Sequence, residues 1–192
     1  MAISNNSTGL RPGVCTSSTR PTAPYEGQMI YETDTDMVAI WNGTAWRYIS
    51  ATTPTNGTIL QVVTGTTNTQ ATFTSSTPAT TGITATITPK STSSKILVSS
   101  SVGGCNKQTN DTGLDLWIYR NGSQLLKVGA NIGSVSSGSQ TNSHASVLYL
   151  DNPATTSATT YAIFGASTAN NNYALTQHQS AYSVIILSEV AG

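Results

Sequence analysis

The sequence predicts an all-β fold: a small N-terminal β-meander followed by a β-sandwich of jelly-roll type. Three observations predict it. Short runs rich in Val, Ile, Leu, Thr and aromatic residues recur throughout, many of them alternating and each bounded by Gly, Asn, Ser or Pro, which is the pattern of half-buried strands. No long stretch places apolar residues at the 3.6-residue helical period, so almost no helix is expected. The composition fits the same picture. The chain has 192 residues, 37% hydrophobic but only 8% charged, with a net charge of zero. Ordinary domains carry about a quarter charged residues. Here Ser and Thr, about three residues in ten, solvate the surface instead.

Taken in order, residues 1–50 open with the tail "MAISNNSTGLRPG" and continue into three strand-like runs, "QMIYE", "MVAIW" and "AWRYI". Between them stand "TDTD" and "NGT", and Asn-Gly between apolar runs is the strongest short hairpin signal because both residues tolerate positive φ. A three-stranded meander of this size cannot offset its own chain entropy, so Trp41, Trp46, Tyr48 and Ile49 need something to pack against. "ATTPTNGT" supplies a linker over residues 51–57, and no charged residue occurs from Ala51 to Pro89.

Residues 58–192 form the predicted sandwich. Its strand candidates are "ILQVV", "ATFTS", "ITATITP", "KILVSSSV", "LDLWIYR", "SQLLKVG", "SVLYL", "TYAIFGAS" and "AYSVIILSEV". "RNGS" (Arg120–Ser123) reads as a second Asn-Gly hairpin, and "TANNNYALTQHQS" (Thr168–Ser180) as a polar loop. Several strands are apolar on both faces. In "AYSVIILSEV", Tyr182, Val184, Ile186 and Val190 fall on one side, with Ile185 and Leu187 on the other. A free sandwich wets one face of each sheet, so two-sided strands call for a partner surface, and another copy of the chain is the natural one.

The candidate chemistry is sparse. Asp34 and Asp36 in "ETDTD" lack the glycine and distal glutamate of a calcium loop and read as a turn. Asn110, Asp111 and Asp115 in "NDTGLD" match no ligand spacing. Cys15 and Cys105 form neither a disulfide framework nor a metal motif. His144 and His178 are the only histidines; each is either a polar strand-end or loop residue or, near a symmetry axis, an ion ligand shared with its copies. There is no G-x-S-x-G and no H-E-x-x-H, so no catalysis, cofactor or structural metal is expected. Trp117 and Tyr119, with Asn171 and Tyr173, are the candidates for surface recognition of a glycan or protein. Zero net charge gives no drive towards nucleic acid or an anionic membrane. The N-terminus shows neither a basic segment nor an apolar run, and a chain made in the host cytoplasm without a membrane anchor is expected.

The segment "TSSTRPTAPYEGQMIYETDTDMVAIWNGTAWRYI" resembles one that recurs near the N-terminus of tailed-bacteriophage and cyanophage virion proteins, described as tail fibre or minor structural proteins. The shared features are the Thr-Arg-Pro start, Gly27-Gln28, the aromatic-Glu-Thr-Asp strand end, and Trp41-Asn42-Gly43 followed by Ala45-Trp46. The remainder is similar, as a looser pattern, to C-terminal modules of phage fibre and decoration proteins through "ITPKSTSSKILV" and "YSVIILSEV". The resemblance implies a homotrimer in the virion, with residues 1–50 docking onto other virion proteins of the tail, portal or capsid and the sandwich projecting towards a host surface. Long fibres carry a shaft or enzymatic domain that this chain lacks. Two roles therefore stay open, a short fibre or tail appendage and a capsid cement protein. Tyr31, Trp41, Trp46 and Tyr48 are the docking candidates, although Trp41 and Trp46 can equally form the meander's own core.

Overall fold

A computed structural model of the chain describes residues 12–49, 54–108, 112–134, 141–170 and 172–192. Its residues group into two compact units, Met1–Thr53 and Pro54–Gly192. The last residues of the sequence-predicted linker belong to the second unit, where the Gly57 amide donates to Ala191 O and the Ala191 amide to Thr58 O, both at 2.8 Å.

The first unit is a four-stranded sheet, not a three-stranded meander. Strands β2 (Met29–Glu32), β3 (Met37–Trp41) and β4 (Trp46–Ile49) follow the three predicted runs closely. An additional strand, β1 (Gly13–Cys15), pairs in parallel with β2, giving the order β1-β2-β3-β4. Three residues are too few to show alternation, which is why β1 is invisible in sequence. The β3–β4 turn forms as the Asn-Gly signal requires. Gly43 takes φ +88°, and Asn42 Oδ1 accepts from the amides of Thr44 and Ala45 at 3.0 and 2.8 Å.

The second unit contains β5 (Ile59–Thr67), β6 (Ala71–Phe73), β7 (Ala79–Ile87), β8 (Lys95–Lys107), β9 (Leu114–Arg120), β10 (Ser123–Ile132), β11 (Thr141–Asp151), β12 (Thr159–Ser167), β13 (Ala174–Thr176) and β14 (Ser183–Val190). A single 3-10 turn, His178–Ser180, separates β13 from β14. Both of these strands run antiparallel to β8, at opposite ends of it, so they form one interrupted column of the sheet. β5 and β6 pair with them as a second interrupted column. The pairing order then decides the topology: β5 with β14, β7 with β12, β8 with β11, and β9 with β10. First pairs with last, second with second-to-last, and so inwards to a central hairpin. Rolling that ribbon gives the two observed sheets, β5-β14-β8-β11 and β10-β9-β12-β7. This unit is a jelly roll.

The core lies between these sheets and follows the strand alternation. In β7, Thr81, Ile83, Ala85 and Ile87 point inwards while their neighbours are exposed. Ile96 and Val98 of β8, Leu114, Leu116 and Ile118 of β9, Ile163 of β12, and Ile185 and Leu187 of β14 are all fully buried. Tyr161 sits in the same core, with its hydroxyl donating to Asp151 at 2.6 Å. Asp151 also receives Arg120 at 2.7 Å, so the buried carboxylate is doubly satisfied. At the central hairpin, Asn121 (φ 48°) and Gly122 (φ 80°) form the tight turn that "RNGS" predicts.

One predicted loop is a strand. Within "TANNNYALTQHQS", Ala174, Leu175 and Thr176 are β13, buried between β6 and β8. Polar neighbours hide this three-residue strand from any pattern reading.

Candidate interaction surfaces

In the first unit, strand alternation sorts the docking candidates onto opposite faces. Ile30, Glu32, Ala39, Trp41, Trp46 and Tyr48 share one face, by register with β3 and β4. The connection between β1 and β2 closes over this face through Arg20. The guanidinium bonds both carboxylate oxygens of Glu32 and donates to Tyr48 Oη at 2.7 Å; Glu32 also accepts from Tyr48 Oη at 2.9 Å and from Thr35 Oγ1 at 3.2 Å. The Arg20 hydrogen bond, helped by those of Tyr48 and Thr35, holds the Glu32 carboxyl below the usual carboxylate range against the effect of its desolvation. Trp41 and Trp46 pack edge to face with ring centroids 5.6 Å apart. The conspicuous Arg, Glu and Trp residues of the N-terminal segment thus tie the unit to itself.

The opposite face is open and apolar. Val14, Tyr31, Val38 and Ile49 form one cross-strand row, with Met29, Ile40 and the exposed Arg47 in the next. Val14 is 69% exposed and Ile49 51%. Of the docking candidates, only Tyr31 lies on this face, and its hydroxyl donates to Asp36 at 2.7 Å. Asp34 accepts from the Ser17 hydroxyl and amide, which draws its carboxyl below the ordinary range.

The jelly roll presents two different outer faces. On the β10-β9-β12-β7 sheet, the aromatic side chains are covered by their neighbours, while Leu126 of β10 stays exposed. Trp117 is only 8% exposed, with Lys127 Nζ 5.1 Å from its ring centroid and bonded to Asp115 at 2.6 Å. Tyr119 stacks on Phe164 at 4.0 Å and donates to Gln124. Two of the recognition candidates are therefore held in contacts within their own sheet. Tyr173 is half-exposed just before β13, and Asn171 lies outside the described residues, as do Asn110 and Asp111.

The outer face of the β5-β14-β8-β11 sheet is different. Its cross-strand rows read Thr66-Val184-Ser101-Ser146, Thr64-Ile186-Ser99-Leu148 and Val62-Ser188-Leu97-Leu150. None of these residues is charged. Leu148 is 73% exposed, Leu150 50% and Val62 54%. A shallow depression of about 360 Å³ between Leu148, Val184 and Ile186 marks its centre. β11 is also the edge of this sheet and carries neither Lys nor Pro, the usual protections of a free edge. The chain's two histidines meet at one end of this face, in a cleft of about 390 Å³. Among the described residues, no three His, Cys, Asp or Glu side chains converge as a metal cluster, and no helix is long and apolar enough to cross a membrane.

No protein-family model and no curated protein matches the chain. Solved structures do. The VP2 subviral particle of infectious bursal disease virus aligns over 91% of this chain and 41% of its own, at 16% identity and a TM-score of 0.43. The VP2-derived T=1 particles of that virus align over 90% and 44%, at 14% identity and a TM-score of 0.37. Dimeric latent PorU from Porphyromonas gingivalis aligns over 73% and 14%, at 7% identity and 0.35. This chain thus spans about two fifths of the viral chains or less than a fifth of the bacterial one. At such scores the strand paths diverge widely, and the jelly-roll assignment rests on the pairing order alone.

Proposed function

We propose that the chain is a non-enzymatic structural subunit of a tailed-phage virion, a short trimeric fibre or tail appendage. The observation that carries this reading is the outer face of the β5-β14-β8-β11 sheet. Its three central rows carry no charge, Lys95 standing only in the row at its end, and Leu148 and Leu150 are exposed at the sheet edge. Surfaces that stay in water are normally studded with charge, whereas the centres of subunit interfaces are depleted of it. This face is the contact between copies. The open apolar face of the first unit, centred on Val14, Tyr31 and Ile49, is the contact with the virion. The phage-like N-terminal segment supports that assignment, and the Arg20–Glu32–Tyr48 network explains why the segment keeps its form. Host-surface recognition falls to the remaining exposed loops, including the one that carries Tyr173.

The experiment is incorporation into particles. A Val14→Lys, Ile49→Lys variant alters two exposed residues and leaves the fold intact, so it is expected to remain folded and associated but absent from purified virions. Normal incorporation of that variant overturns the attachment surface. Its location also separates fibre from cement protein. Density at the tail supports the appendage; density between capsid subunits, with capsids more heat-resistant in its presence, makes it a cement.

A further inference from the structure

His144 and His178 stand far apart in sequence, yet the fold places them on either side of one glycine pair. His144 lies opposite a bulge in β8, between Ser143, which pairs with Cys105, and Ala145, which pairs with Val102. The intervening β8 residues are Gly103 and Gly104. The backbone of His178 rests directly on Gly104, where an added Cβ would stand 2.4 Å from the His178 nitrogen and 2.8 Å from its oxygen. The Gln177 amide donates to Gly103 O at 2.9 Å and pins the turn in place. Adjacent strands lie about 5 Å apart, so the two histidine backbones, flanking β8, are about two strand spacings apart, and both residues line the same cleft with Asn142, Ser143 and Gln179.

Each ring is also oriented by a second residue. Gln70 Oε1 accepts from Nδ1 of His178 at 3.1 Å, which leaves Nε2 with its lone pair. Ser101 Oγ bonds Nε2 of His144 at 2.8 Å, and when it accepts, Nδ1 is the free nitrogen. Such outer partners are what fix ring orientation and tautomer in metal sites. The backbone carries a third sign. Gln177 (φ 53°), Gln179 (φ 55°) and Ser180 (φ 59°) all occupy the left-handed region around His178. For residues other than glycine this costs about 1–3 kcal/mol each, and it gathers where a structure clamps a ligand.

We propose that this cleft is a two-histidine chelating site for a divalent late transition-metal ion of the zinc, nickel or copper class. Imidazole nitrogens suit these ions, while calcium and magnesium require oxygen. Nδ1 of His144 and Nε2 of His178 supply two ligands, and water completes the shell. Sequence spacing gives no hint of the site, because it is assembled by the β8–β11 register and the turn on Gly104.

The test uses the full chain without a histidine tag. Zinc, nickel and copper(II) chlorides are titrated calorimetrically at neutral pH. The expected result is one ion per chain with micromolar dissociation constants, tightest for copper, and no competition from calcium. His144→Ala and His178→Ala should each weaken binding at least tenfold, and Gln70→Ala about tenfold through loss of ring orientation. The copper complex of the unsubstituted chain should show two imidazole nitrogens by electron paramagnetic resonance, a readout that needs no variant to fold. Absence of saturable binding below millimolar metal, one nitrogen or none in the spectrum, or full binding by a folded single-histidine variant overturns the proposal.

Discussion

Replacing Leu148 and Leu150 with serine tests the proposed subunit contact. Both side chains point out of β11, while their neighbours Val147 and Asp151 are buried. Exposed at 73% and 50%, the two leucines together leave about one and a quarter side chains of apolar surface in water. Full burial of a leucine is worth about 1.5–3 kcal/mol, so covering this surface contributes about 2–3.7 kcal/mol at each contact. Its loss should weaken association roughly 30- to 500-fold. The stability of the isolated jelly roll should stay within about 0.5 kcal/mol, since exposed substitutions rarely do more. The assay is sedimentation equilibrium across a dilution series, with circular dichroism to follow the fold. Val147→Ala is the control of opposite phase: it truncates a buried residue and should lower the melting temperature, whereas the leucine pair should alter association. Unchanged association in the leucine variant refutes the reasoning.

Three further outcomes follow from the packing. Gly65→Ala should strongly destabilise the jelly roll or prevent its folding, because the new Cβ would lie only 1.8 Å from the Thr84 carbonyl oxygen, and expression with thermal melting reads this. Acid should destabilise the chain. Burial alone would push the Glu189 carboxyl up, but hydrogen bonds from Gln61 and the Lys90 amide hold it below its usual value, and Glu32 and Asp34 are lowered too. A carboxyl depressed in the folded state stabilises it above the unfolded pKa of about 4.3 and loses that contribution as pH falls through the folded value. The melting temperature should therefore be flat from pH 7 to about 5 and fall below about pH 4, less steeply in Glu189→Gln; a flat profile to pH 3 would contradict this. Cys105 is fully buried, and desolvation pushes its thiol up to about 11, so a thiol reagent at pH 8 should label Cys15 in the native chain and Cys105 only after unfolding.

The fold was largely legible in the sequence because its long strands advertise themselves. β7 alternates cleanly, β14 holds an unbroken apolar run bounded by polar residues, and the two Asn-Gly turns sit where positive φ is required. β1 and β13 were not legible, since three residues cannot display a period and both depend on pairing with distant strands. The surfaces were harder to read. Both-sided strands raise the need for a partner, but only the register shows which faces remain open. "LDLWIYR" closes its second face with Lys127 and Phe164, whereas "SVLYL" leaves Leu148 and Leu150 in water. Likewise, tryptophans attract notice in a sequence, yet Trp41 and Trp46 pack together, while plain Val14 and Ile49 form the exposed face. The meeting of His144 and His178 depends on the pairing of β8 with β11 and on a turn that only Gly104 admits.

The central claim is that the outer face of the β5-β14-β8-β11 sheet joins copies of this chain. It is tested most directly by the molar mass of the intact protein in solution, measured by light scattering on a sizing column at micromolar concentration. A single species of about 60 kDa is expected, three copies of the 20.0 kDa chain. A monodisperse species at the mass of one chain, with Leu148 and Leu150 left in water, would contradict it.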